Sequence, residues 1–106
     1  MNSQNNITLE SKDSITALIS LGANLPSRFG TPVQTLSAAI TRIAGFGNGK
    51  LFASSFYQTE AVDCQPETPD FINAVVAVPL PKSITASELL DFLQELEKEF
   101  GRSHDV

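Results

Sequence analysis

The sequence predicts an α+β domain on three observations. An apolar alternation of period two lies near the N-terminus, two helical stripes each open on a capping box, and two further strands stand between them. In chain order the pattern is β-α-β-β-α. At 106 residues this is one domain with a single modest core.

The first strand is expected over Ile15 to Leu21. Ile15, Ala17, Ile19 and Leu21 alternate with Thr16, Leu18 and Ser20, a second set that is itself partly apolar, so both faces should be largely buried. Gly22 and Asn24 favour a tight turn at its end, and a loop runs on to Gly30. Thr31-Pro32-Val33-Gln34 then reads as a helix start, with Thr31 as N-cap, Pro32 at the first helical position and Gln34 closing a capping box. Val33, Leu36, Ile40 and Ile43 form its apolar stripe, and the glycines 45, 47 and 49 stop it.

Two strands follow, Leu51 to Tyr57 and Phe71 to Val78, joined by the polar loop Gln58 to Asp70. Compact domains join strands with roughly 2–5 residues, so a connection of this length points to a ligand. Pro79 and Pro81 are expected to end the second strand because neither can donate to a ladder. Thr85 to Glu88 is a second capping box, and Leu89, Leu93, Leu96 and Phe100 mark the buried face of a helix that ends at Gly101. The acidic opposite face, with Glu88, Asp91, Glu95 and Glu99, reads as solvated. One more strand after Gly101 would complete the β-α-β-β-α-β order of a ferredoxin-like sandwich. The predicted fold is therefore ferredoxin-like with its final strand missing, which leaves Ile15 to Leu21 as an open edge through which the chain would self-associate.

Composition narrows the function. Twelve acidic against seven basic residues give a net charge of −5 with no Lys/Arg cluster, which argues against nucleic acid as a partner. A single cysteine, Cys64, leaves no internal disulfide and no Cys/His metal cluster, and fits a reducing, cytoplasmic setting. Without a neighbouring base it reads as an incidental thiol. The opening MNSQNNITLESKDS is polar, with no apolar stretch for a leader or membrane anchor. It is expected as a disordered tail over residues 1–14, in front of a folded domain over 15–106 that is C-terminally truncated.

Asn73 stands out within an apolar strand that its residue type does not favour. Its amide carries a donor and an acceptor side by side, and Phe71 two positions earlier shares its sheet face. Together they suggest a grip on a flat heterocycle.

Four segments, ISLGANL from Ile19, SSFYQT from Ser54, PDFINA from Pro69 and LEKEFGR from Leu96, resemble in order and spacing the 6-hydroxymethyl-7,8-dihydropterin pyrophosphokinases. The resemblance covers most of residues 15 to 102. It implies an ATP-dependent transferase of folate biosynthesis that moves diphosphate to a reduced pterin with Mg²⁺, on a ferredoxin-like fold. By the same resemblance Thr59 and Val62 would offer backbone groups to the pterin, Phe71 would stack on it, Asn73 would read its edge, and Gly22 and Asn24 would border it. Gln94 and Glu97 would lie on the nucleotide side, and Arg102 would act on the phosphates as the catalytic arginine.

Two features depart from the family pattern. Glu60 and Asp63 replace residues that are usually uncharged, and beside ATP they would repel phosphate unless they face solvent. The family's Pro-Arg-Thr-x-Asp-x-Asp strand, whose aspartates hold Mg²⁺, has no counterpart before Ser103-His104-Asp105-Val106. These residues are thus expected to contain no Mg²⁺ ligands and to be inactive alone, with Asp105 no substitute and His104 a tail residue. An alternative from another class is a non-catalytic ferredoxin-like module that binds a pterin-like ligand or a partner protein. A hydrolase on the same fold is disfavoured, since the first loop offers Arg28 as its one cation.

Overall fold

The computed structural model describes residues 2–10, 14–61 and 67–101, with residues 2–10 and 101 described by backbone alone. The elements are β1 (Asn2–Glu10), β2 (Ser14–Ala23), α1 (Pro32–Phe46), β3 (Phe52–Ala53), β4 (Tyr57–Thr59), β5 (Phe71–Pro81) and α2 (Ala86–Gly101). The strands form one antiparallel sheet in the order β1-β2-β5-β3, with β4 also paired to β5. This is a small α+β domain, consistent with the expected ferredoxin-like sandwich.

Both helices lie on one face of the sheet. Ala17, Ile19, Leu21 and Ala23 of β2 and Val76, Val78 and Leu80 of β5 point to that face and pack with Leu36, Ala39 and Ile43 of α1 and Leu89, Leu93, Leu96 and Phe100 of α2. Ile19, Leu36 and Val76 are wholly buried, so the core sits between the two central strands and the helices. The other face, with Thr16, Leu18, Ser20, Phe71, Asn73, Val75 and Ala77, is only half-buried. β2 is therefore covered on its helix face alone, not on both as its composition suggested.

Helix α1 starts as the sequence predicts. Thr31 Oγ1 accepts from the Gln34 N–H at 3.2 Å, and Gln34 Oε1 accepts from the Thr31 N–H at 2.9 Å. Gly30, at φ +115, leaves room for this box, because a Cβ there would lie 2.0 Å from Gln34 Oε1. Helix α2 opens on the same device: Thr85 Oγ1 accepts from the Glu88 N–H and Glu88 Oε1 from the Thr85 N–H. The α1 stripe differs in part, since Thr35 and Ala39 are buried whereas Val33 is exposed.

Five expectations are corrected. Most of residues 1–14, read as a disordered tail, is strand: β1 pairs with β2 from Asn2 opposite Gly22 to Glu10 opposite Ile15. The edge of β2 is thus covered by backbone from the chain itself, because its row of N–H and C=O groups needs partners whatever the side chains beside them. The single strand Leu51 to Tyr57 is two. Ala53 faces Val76 and Tyr57 faces Asn73, so four steps on one strand match three on β5. The extra residue is absorbed at Ser54, whose N–H donates to the Val75 carbonyl at 2.8 Å while its Oγ accepts from the Val75 N–H at 2.9 Å.

The long loop is also shorter than expected, because β4 takes in Gln58 and Thr59. Finally, β5 runs through Pro79 to Pro81. Val75 turns its N–H toward β3, so by alternation the nitrogens of Pro79 and Pro81 point the same way, beyond the end of β3 where no partner needs a donor.

A cavity of about 80 Å³ opens between the start of β2 and the start of α2, lined by Ile15, Ala17, Leu80, Ile84, Thr85, Ala86 and Leu89. Thr85 is the one polar residue among those that line it, and its hydroxyl is already used in the helix cap. It lies at the Ile15–Leu80 end of the sheet, away from the polar cluster described next. Among the described residues no helix is long and apolar enough to cross a membrane.

Candidate functional site

The uncovered sheet face carries a compact cluster where β2 ends and β5 begins. Gly22 lies opposite Asn73 on one side and Tyr57 lies opposite it on the other; Thr59 lies opposite Phe71. Directly paired residues of an antiparallel sheet share a face, so all five belong to one surface. The same-face placement of Phe71 and Asn73 expected from their spacing is what the structure has.

The Asn73 amide is fixed in orientation. Its Nδ2 donates to Thr59 Oγ1 at 2.8 Å and to the Tyr57 carbonyl at 3.4 Å. A backbone carbonyl can only accept, so the nitrogen must be on that side and Oδ1 on the other. Both amide hydrogens are thus engaged within the protein, and no described residue donates to Oδ1. This narrows the sequence reading, in which the amide offered donor and acceptor together.

Gly22 is glycine because of this side chain. A Cβ there would sit 2.9 Å from Asn73 Oδ1 and 3.7 Å from Phe71 Cδ1. Gly22→Ala is expected to push the amide off the strand and to lower stability by about 1–3 kcal/mol through overpacking. A changed Asn73 side-chain NH₂ resonance together with a lower denaturation midpoint would show it.

The loops around the cluster are tied to one another and to the helices. Asn24 Nδ2 donates to the Pro69 carbonyl at 3.4 Å, which joins the first loop to the long one. At the base of the long loop, Gln58 Nε2 donates to Asp70 Oδ2 at 2.7 Å. Within the first loop Ser27 and Gly30 exchange two backbone hydrogen bonds of 2.9 Å, and Ser27 Oγ lies 2.6 Å from the buried Thr35 hydroxyl. The Phe29 ring stacks on Phe100 at 4.1 Å, and the Arg28 guanidinium covers Phe29 at 4.9 Å. Glu99 holds Arg42 and, at 3.7 Å, Arg28. The last turn of α2 is therefore a clamp for the first loop.

The structure brings Gly22, Asn24, Thr59, Phe71 and Asn73 to one end of the sheet. Gln94 and Glu97 belong to α2, in the layer on the other side of the sheet from Phe71 and Asn73; Gln94 is exposed and Glu97 half-buried. Val62 and Arg102 lie outside the described residues, as do Asp63, Cys64, His104 and Asp105, while Glu60 is exposed. Sequence reasoning missed two contributors, the Thr59 hydroxyl and the Tyr57 carbonyl, which set the direction of the Asn73 amide.

Among the described residues the carboxylates named here are not gathered around a place for Mg²⁺. Asp70 is bonded to Gln58, Glu88 caps α2, Glu95 faces Lys98 at 3.6 Å and Glu99 faces two arginines. No group of three His, Cys, Asp or Glu side chains able to hold a metal is found among the described residues. A hard dication takes oxygens from several carboxylates or carbonyls, and these are dispersed.

Two helices behind an antiparallel sheet, with an amide and an aromatic ring set together on the uncovered face, define the class: an α+β sandwich with a polar-aromatic site at one end of its strands. Residues 18–106 match the family model described as 7,8-dihydro-6-hydroxymethylpterin-pyrophosphokinase. The chain is also 40% identical over 89 residues to the 2-amino-4-hydroxy-6-hydroxymethyldihydropteridine pyrophosphokinase of Haemophilus influenzae, an overlap of 83% of this chain and 51% of that relative. The chain belongs to this pyrophosphokinase family. It spans about half the length of the curated relative it matches.

Proposed function

We propose that these residues form the pterin-holding part of an ATP-dependent pyrophosphokinase of folate biosynthesis, and that alone they bind the reduced pterin without transferring diphosphate to it. The observation that carries this reading is the Asn73 amide, held by Thr59 and Tyr57 beside Phe71 and over Gly22. Its Oδ1 suits an N–H on the pterin edge, while the Phe71 ring offers a face to the heterocycle. Gly22, itself buried, leaves the room in which the Asn73 amide lies beside Phe71, and Asn24 closes the site by its bond to the long loop.

By family likeness, Thr59 and Val62 add backbone groups to the pterin edge, Gln94 and Glu97 serve the nucleotide side, and Arg102 reaches the phosphates. Diphosphate transfer depends on metal and cationic stabilisation of the transition state. The carboxylates described above are committed elsewhere, so no step through Mg²⁺ is assigned to them. The ligands for it would come from outside the described residues.

Isothermal titration of the purified chain with 6-hydroxymethyl-7,8-dihydropterin is expected to show weak, saturable binding. With MgATP added, no AMP should form. Release of AMP would overturn the second half of the proposal, and the absence of any pterin heat or competition would overturn the first.

A further inference from the structure

We propose that Gln58 and Asp70 are positioning residues for the site: their hydrogen bond clips the last rung of the β4–β5 ladder and so keeps the Thr59 hydroxyl where it holds the Asn73 amide. The consequence for a ligand rests on the pterin reading above, whereas the consequence for the amide does not. β4 has three residues and, among the described residues, pairs with β5 alone. Its last residue, Thr59, lies opposite Phe71 and is followed by the long loop. The end of so short a strand frays unless something besides its ladder bonds holds it.

Two side-chain bonds hold it, one on each face. On the uncovered face Thr59, opposite Phe71, accepts at Oγ1 from Asn73 Nδ2 at 2.8 Å, a diagonal contact two places further along β5. On the helix face Gln58, opposite Ile72, donates to Asp70 Oδ2 at 2.7 Å, a diagonal in the reverse sense. The crossed pair brackets the Thr59–Phe71 rung, since Asp70 precedes Phe71 and Asn73 follows it. Ile72 packs against the core and fixes β5 between the two contacts. Asp70 is also held from behind. The Pro69 carbonyl accepts from Asn24 Nδ2, and Glu67 stands at φ 70, a conformation that a non-glycine residue keeps only where its surroundings impose it. Asp70 is therefore the anchor and Gln58 the group it holds. Gln58 lies on the other side of β4 from Phe71 and Asn73, so it acts on them through Thr59.

The test compares the full chain at neutral pH with Gln58→Glu, which sets two carboxylates against each other, and with Gln58→Glu combined with Asp70→Asn. The double change exchanges donor and acceptor at the same two positions and restores the net charge. In ¹⁵N-labelled chain without ligand, Gln58→Glu is expected to shift the Asn73 side-chain NH₂ resonances and to speed their hydrogen exchange at least about threefold. The melting temperature should move by no more than about 4 °C, because Gln58 and Asp70 are both exposed. By isothermal titration, affinity for 6-hydroxymethyl-7,8-dihydropterin should fall about three- to tenfold in the single variant and return to within about twofold in the double one. In a Thr59→Val chain, Gln58→Glu should cost no further affinity, as for groups that act one through the other. Unchanged Asn73 resonances in Gln58→Glu, their failure to return in the double change, or a full further loss of affinity in the Thr59→Val chain would overturn the proposal. So would a large fall in melting temperature with the Asn73 amide unmoved, since the pair would then serve the fold and not the site. If none of these chains binds the pterin, the functional reading falls, and the Asn73 resonances alone decide the clip.

Discussion

Asn73→Ala is expected to lower affinity for 6-hydroxymethyl-7,8-dihydropterin by about 10–100-fold, the loss expected when one or two ligand hydrogen bonds of about 1 kcal/mol or slightly more disappear. The protein itself should tolerate the change. Tyr57 and Thr59 are exposed, so the carbonyl and hydroxyl released by the missing amide can turn to water. Isothermal titration and a thermal melt on the same sample separate the two effects. Thr59→Val provides the companion result: it keeps the amide but removes the group that anchors it, so affinity should fall by less than in Asn73→Ala, and Thr59→Ser should restore it.

Ile19→Ala is expected to have the opposite profile, with stability lost first. Ile19 is wholly buried on the helix face of a central strand, where truncation costs about 2–5 kcal/mol. A domain of this size has roughly 5–15 kcal/mol in all, so the melting temperature should drop by about 10–20 °C. Leu18→Ala makes the contrast. Leu18 is the next residue along but faces the uncovered side, half-buried, and its truncation should shift the melt by clearly less. Calorimetry on the pair reads which face of β2 carries the core.

Much of the fold was legible in local sequence. Thr31 with Gln34 and Thr85 with Glu88 placed both helix starts, because capping is a contact between residues three apart. Leu89, Leu93, Leu96 and Phe100 placed the buried face of α2 for the same reason of short range. What was not legible depended on partners far away in the chain. β1 is held by the open edge of β2, and nothing in its Asn-rich sequence announces that edge. Pro79 and Pro81 remain in β5 because β3 ends before reaching them, a fact of sheet size and not of proline.

The site divides in the same way. Phe71 and Asn73 share a face by strand periodicity alone, and Gly22 completes the surface because it pairs with Asn73. The contacts that orient the amide hang on the bulge at Ser54. Without that extra residue Phe56, not Tyr57, would oppose Asn73, and Thr59 would leave the face altogether. A hydroxyl taking the place of a ladder carbonyl sets this register, and no pattern of apolar residues encodes it.

The central claim, that a flat heterocycle is held on the uncovered face at the end of β2, β4 and β5, is tested most directly by titrating ¹⁵N-labelled chain with 6-hydroxymethyl-7,8-dihydropterin and following the amide resonances. The account predicts saturable shifts at Gly22, Thr59 and Phe71 and at the Asn73 side-chain NH₂, with the α1 and α2 cores unmoved. Shifts centred on the helix layer, or a cluster that stays silent while others respond, would contradict it.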